Sequence, residues 1–159
     1  MNRFWVKSYP PGVPADIDAS EFRSINHIAE TSYEKFADGV AFVQMGRAIT
    51  YRQLDALTRS FAAWLQQEAG LKKGDRLAIM LPNVLQYPIA IFGALRAGLV
   101  VVNTNPLYTP RELEHQLADS GAAAILILEN FAHVLQGVIG HTQVKKVLVT
   151  AVGDLLGAP

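Results

Sequence analysis

Apolar runs with no polar alternation dominate the middle of the chain, at residues 76–81, 84–97 and 99–102. The first lies between Gly74-Asp75 and Pro82-Asn83, and the third is short and β-branched. Both read as strands, whereas 84–97 is too long for one and reads as a helix. A helix-initiating sequence follows at Thr109, and 122–128 is a further apolar run. The spacing then predicts a short helix over 130–139, with Phe131, Val134, Leu135 and Val138 inward, and a last strand over 145–150. Strands without alternation are buried on both faces, as in a parallel sheet covered by helices. The expected fold class is therefore α/β, a mostly parallel helix-covered sheet.

Local chemistry sharpens the boundaries. In Tyr108-Thr109-Pro110-Arg111-Glu112-Leu113, Thr109 is placed to cap, Pro110 to stand at the first helical position, and Glu112 to close a capping box. Tyr108 and Leu113 are spaced as a hydrophobic staple, and Gly98 sits where the preceding helix needs a left-handed residue. Thr50, Gln53, Ile49 and Leu54 repeat the pattern at the start of a long helix ended by Gly70. Its predicted buried stripe is Leu54, Leu57, Phe61, Trp64 and Leu65, with Arg52, Asp55, Arg59, Gln66 and Glu68 facing water. An earlier helix runs from a Ser24 cap to about residue 37, with Ile25, Ile28, Ala29, Tyr33 and Phe36 on one face. Between them, 40–45 and 48–49 flank Gly46-Arg47 as a small N-terminal hairpin. Residues 1–20 hold Pro10, Pro11, Gly12 and Pro14 and form an irregular leader, with Phe4, Trp5 and Tyr9 clipped onto the domain. Residues 21–159 form the α/β unit, and beyond Ala151 the sequence loosens without a closing element.

The helix over 84–97 is apolar on every side, although a surface helix needs only one apolar stripe. It therefore calls for neighbours on both sides, and Pro88 must lie in its first turn or kink it. In this chain alone the outer face is expected to be bare, so that the chain self-associates through Tyr87, Ile91 and Leu95.

Composition narrows the function classes. The 159 residues carry a formal net charge of zero, so no long-range field draws nucleic acid. Cysteine is absent, which excludes a disulfide frame and a thiolate metal site. The long apolar stretch is broken by Gln86, Pro88, Arg96 and Gly98 and does not read as a membrane span. No two of His27, His115, His133 and His141 have the spacing of a zinc helix. The single Glu112-x-x-His115 reads as a solvated helix face, and Asp75 and Asp119 stand where turns favour Asp. Neither a Gly-x-Ser-x-Gly elbow nor a phosphate-binding glycine motif occurs.

GDRLAIMLPN, ITYRQL and GALRAGLVVVNTNPLYTPRELEHQLADSGA resemble the acyl-adenylate-forming enzymes, and within them the bacterial long-chain fatty-acid–CoA ligases. ITYRQL is similar to the first core motif of that superfamily and LRAGLVVVNTNP to the second. The likeness runs from about Phe4 onward and implies the first part of the large N-terminal domain. It implies a parent enzyme using ATP, magnesium and coenzyme A to turn a fatty acid into acyl-adenylate and then acyl-CoA. It further implies a cytoplasmic setting with peripheral contact at the inner membrane face. The family's Thr-Ser-Gly-Thr-Thr-Gly loop and later motifs do not occur in these residues. The chain is thus expected to supply scaffold, with no catalytic residue and no metal ligand, and to be inactive alone. A ligase for another acid, such as an aryl or amino acid, and a non-catalytic flavodoxin-like binding domain are the alternatives.

Ligands of doubly wound sheets sit beyond the carboxyl ends of the strands. That edge nominates Asn83, Asn103, Asn105 and Tyr108 as a cleft rim touching nucleotide or acyl chain, although Asn and Pro also suit plain turns there.

Overall fold

A computed structural model describes residues 3–157. The elements are α1 Ile25–Lys35, β1 Val40–Gln44, β2 Arg47–Thr50, α2 Tyr51–Gln67, β3 Arg76–Met80, α3 Gln86–Arg96, β4 Val100–Asn103, α4 Pro110–Ser120, β5 Ala124–Leu128, α5 Ala132–Gln136 and β6 Lys146–Thr150. β1 and β2 form an antiparallel hairpin. The other four strands form a wholly parallel sheet in the order β4-β3-β5-β6. The chain reverses its direction across the sheet beside β3, which pairs Leu77 with Val101 on one side and with Ala124 on the other.

Side chains alternate between two cores, as the strand period of two requires. Leu77, Ile79, Ala124 and Leu126 pack on one face against Ala62 and Leu65 of α2 and Ala90 and Ala94 of α3. Ala78, Met80, Ile125 and Ile127 pack on the other against Leu113 and Leu117 of α4 and Leu135 of α5. Every residue of β5 is buried, which explains why its sequence shows no alternation. The two predicted capping boxes form as drawn. Thr50 and Thr109 accept from the backbone N–H of Gln53 and Glu112, whose side chains return to the cap N–H at 2.9 and 2.8 Å. Pro88 stands in the first turn of α3.

Several local expectations shift. The hairpin turn is Met45-Gly46, one residue earlier than Gly46-Arg47, because Gln44 pairs with Arg47. Met45 at φ 47° and Gly46 at φ 80° are both left-handed, as a two-residue hairpin turn needs. In the leader, Phe4–Ser8 winds into a short 3-10 turn, and Phe4, Trp5 and Tyr9 remain exposed rather than clipped down. The helix expected over 130–139 shortens to α5 between two 3-10 turns, where Gly137 and Gly140 weaken continuation. The tail gains a 3-10 turn, Val152–Leu155, whose Asp154 carboxylate accepts from the Ala151 N–H.

The helical stripes shift more. On α1, Ala29 and Tyr33 are buried while Ile25, Ile28 and Phe36 stay exposed. The buried positions of α2 are Leu54, Thr58, Ala62 and Leu65, whereas Trp64 is 42% exposed. Small Thr58 and Ala62 let α3 come close, and Gly93 of α3 lies directly against Phe61 and the Thr58 carbonyl. The outer side of α3 is not bare. α1 packs on it, and the Asn26 amide donates to the Leu95 carbonyl at 2.9 Å. Tyr87, Ile91 and Leu95 are half-buried.

Candidate functional site: the carboxyl edge of the sheet

Two apolar grooves open at or near this edge. The first holds about 410 Å3 between the hairpin and α3, lined by Phe42, Val43, Asn83, Tyr87, Ile91 and Phe92 among others. The Gln44 side-chain carbonyl accepts the Leu85 N–H at 2.7 Å and pins the hairpin to the start of α3. The second holds about 310 Å3 between α2, α3 and the ends of β5 and β6. There Gln86, only 8% exposed, donates through Nε2 to the Ala151 carbonyl at 2.7 Å and so ties α3 to the end of β6. Its Oε1 meets no donor among the described residues.

The nominated rim residues do not converge on one point. Asn83 lines the first groove. Asn103 Oδ1 accepts from the Tyr87 hydroxyl at 3.0 Å, and its carbonyl accepts from Gln116 Nε2 at 3.1 Å, so this side chain and backbone join α3 to α4. Asn105 Oδ1 accepts the Leu107 N–H at 3.0 Å, an Asx turn that shapes the loop into α4. Tyr108 packs half-buried over the α4 core. Of the four, Asn83 lines a groove, and Asn103 is linked to the same groove through its bond to Tyr87. The switch point, where ligands of such sheets settle, lies instead between β3 and β5. Its far side carries Glu129 and Asn130, exposed and following β5, which the sequence did not single out because they read as an ordinary helix start.

Perturbed ionisation lies elsewhere. Burial works against the Asp55 carboxylate, but Arg59 and Arg96, at 3.0 and 2.8 Å, hold it below the usual range. Arg96 also lies over the Tyr33 ring, and burial raises the Tyr33 hydroxyl. The expectation that Asp55 faces water is thus corrected: it locks α2 to α3. Glu112 is lowered by its bonds to the Thr109 backbone and hydroxyl, which is capping chemistry. His115 is exposed beside it. No group of three His, Asp or Glu is placed to hold a metal among the described residues. The donors present at this edge are amides and a phenol engaged in loop closure, and they do not make a nucleotide–magnesium site.

What this geometry defines is a helix-covered parallel α/β sheet with an open carboxyl edge. Residues 29–157 match the AMP-binding enzyme family, and the chain belongs to that family. It is 56% identical over 158 residues to a long-chain-fatty-acid–CoA ligase of Yersinia pestis and 55% identical over 156 residues to one of Salmonella typhimurium. These matches take in 99% and 98% of the chain but only 28% of each relative's length. Among solved structures, an anthranilate CoA ligase in complex with anthranoyl-AMP superposes with a TM-score of 0.79 at 20% identity, covering 88% of this chain and 28% of that one. A long-chain-fatty-acid–CoA ligase from Archaeoglobus fulgidus gives 0.74 at 23% identity, covering 84% and 28%. Those two likenesses carry the fold, and the family match sets the flavodoxin-like alternative aside.

Proposed function

We propose that this chain is the scaffold part of an ATP-dependent ligase for long-chain fatty acids. The whole enzyme joins the acid to AMP with release of pyrophosphate, and coenzyme A then displaces AMP to give the acyl-CoA. The observation that carries the reading is the 56% identity to a long-chain fatty-acid ligase, against 33% over 99 residues to a 4-coumarate–CoA ligase. Magnesium would shield phosphate charge in the first step. The residues that hold ATP, metal and the acyl carboxylate lie outside this chain, which contributes at most the rim at Asn83, Asn103, Asn105 and Tyr108. The enzyme works in the cytoplasm, with peripheral contact at the inner membrane face. The exposed tip of the hairpin, Val43 and Met45, supports that contact, and no helix among the described residues is long and apolar enough to cross a membrane. On its own the chain self-associates through the groove edge at Tyr87 and Ile91.

The complete ligase containing this chain should exchange pyrophosphate with ATP when given palmitate and form palmitoyl-CoA, while the 159-residue chain alone stays at background. Exchange driven by benzoate or an amino acid but not by palmitate would replace the fatty-acid reading. For the isolated chain, light scattering should show species larger than monomer, and Ile91→Glu should return monomer.

A further inference from the structure

The strands of a parallel sheet all begin at one edge, and here that edge gathers cations. Lys72 and Lys73 precede β3, Arg76 is its first residue, and Lys145 and Lys146 stand at the start of β6. All are exposed, and none forms an ion pair among the described residues, whose pairs lie at Arg3, Arg52, Arg59, Arg96 and His141. Backbone pairing sets two of them face to face. The Ala123 N–H donates to the Arg76 carbonyl and the Lys145 N–H to the Ala123 carbonyl, each at 2.9 Å. Arg76 and Lys145 therefore stand two strands apart, about 10 Å, with the small Ala123 between them. The Arg76 side chain is also held in direction. Its Nε donates to the Ser120 carbonyl at 2.7 Å, while neither Nη forms a hydrogen bond among the described residues. Gly121 makes room for it, since a Cβ there would lie 2.7 Å from Nη2 and 3.5 Å from Gln143 Oε1. A pocket of about 340 Å3 opens among these groups, lined by Asp75, Arg76, Gln143, Lys145 and Lys146, with Leu71 in its apolar part.

We propose that this pocket is an anion site for a phosphate monoester. Arg76, Lys145 and Lys146 line it against one carboxylate, Asp75, whose Oδ2 already accepts the Lys72 N–H at 2.8 Å. Cations held together without partners repel one another, so the cluster gains most from an anion of more than one charge. A phosphate monoester carries about 1.5 to 2 negative charges at neutral pH and three acceptor oxygens. With Nε engaged by Ser120, the Arg76 guanidinium keeps its two Nη groups for an end-on bidentate bond, and the two lysines serve the remaining oxygen. A carboxylate brings one charge and two oxygens and leaves a lysine unmatched. The organic part of the ester then has Leu71 and Ala69 to lie against. The pocket is at the opposite end of the strands from Asn83 and Asn103, and the inference does not depend on which acid the ligase activates. A soluble phosphate ester and the headgroup of phosphatidate both present this chemistry.

The test titrates the 159-residue chain with glycerol 3-phosphate in a calorimeter at low salt, where charge attraction is least screened, with acetate as the control anion. A saturable one-to-one isotherm is expected, at least tenfold tighter than for acetate. Arg76→Gln should weaken it at least tenfold with unchanged circular dichroism, and so should the double variant Lys145→Gln, Lys146→Gln, which decides the matter if Arg76→Gln does not fold. Arg47→Gln removes a charge from the exposed hairpin and should bind as wild type does. Cosedimentation with vesicles of phosphatidate in phosphatidylcholine separates the sources. Vesicle binding that is lost in the lysine variant and outlasts competition by free ester would make the lipid headgroup the ligand, and binding of the free ester alone would make it a soluble one. No saturable binding of either would overturn the site. Acetate binding as tight as the ester, or an equal loss in Arg47→Gln, would also overturn it, by reducing the effect to diffuse charge.

Discussion

Gly93→Ala isolates the contact on which the packing of α2 against α3 depends. Helix propensity alone favours the substitution by ~1 kcal/mol, since Gly costs about that much against Ala inside a helix. Space opposes it. A Cβ at this position would lie 2.7 Å from Phe61 Cδ1 and 3.3 Å from both Phe61 Cβ and the Thr58 carbonyl oxygen. The Phe61 ring has room to swing toward the open groove beside Ser60 and Leu155. The Thr58 carbonyl belongs to a helix backbone and gives less. Overpacking of a fitted core costs roughly 1–3 kcal/mol, and disturbing an aromatic pair such as Phe61–Trp64 about 0.5–1.5 kcal/mol. The balance is a net loss of about 1 kcal/mol, which for a chain of this size lowers Tm by roughly 2–4 °C.

Urea melts of the chain measure this directly, and a double-mutant cycle with Phe61→Leu locates the cause. With Phe61 shortened, Gly93→Ala should lose most of its penalty and approach the stabilisation that propensity allows. If Gly93→Ala stabilises the wild-type chain, or acts equally in both backgrounds, the close approach at Phe61 does not control the helix pair.

Thr109→Ala should cost ~0.5–2 kcal/mol in a urea melt, and Thr109→Ser should recover most of it, because the hydroxyl both caps Glu112 N and donates to its carboxylate. In the complete ligase, turnover per folded molecule should be unchanged by Thr109→Ala; a large fall at constant Tm would make Thr109 a ligand contact. Arg96→Met should destabilise more than Arg52→Met in parallel melts, since Arg96 is largely covered where it meets Asp55 while the Arg52–Asp38 pair is exposed. Asp55 titrates below the usual carboxylate range when folded, so its ion pairs stabilise fully above about pH 4 and are lost as pH falls through the depressed folded value. Stability measured from pH 6 downward should therefore fall less steeply in Asp55→Asn than in wild type.

The strands and the two capping boxes were legible because their causes are local. An unbroken apolar run such as 124–128 states burial on both faces, and Thr-x-x-Glu states a helix start, whatever surrounds them. The hairpin was legible as an element but not in its register, since Met45 takes a left-handed conformation that sequence preference assigns to Gly or Asn. On the inner face of α2, side-chain size is a poor mark of burial. Thr58 and Ala62 are inside since they admit α3, and Asp55 sits at the contact because Arg96 arrives from α3 to meet it. Asp55 and Arg96 stand 41 positions apart, and no local pattern carries such a pairing.

The same dependence on distant residues explains why the candidate site was hardest to see. Asn103 and Asn105 look alike in sequence, yet one joins Tyr87 and Gln116 while the other closes a turn upon Leu107. Periodicity places Leu57, Phe61 and Trp64 in the core; Leu57 and Phe61 are half-buried there, and Trp64 is 42% exposed. These three adjoin Leu54, Thr58, Ala62 and Leu65 around the helix, so all seven form one wide apolar face. Phe61 meets Gly93 of α3 beside Thr58, so it belongs to the same contact as the buried positions. Apolar spacing thus marks the candidates for burial, and the size of the facing residue on α3 decides how deep each one goes.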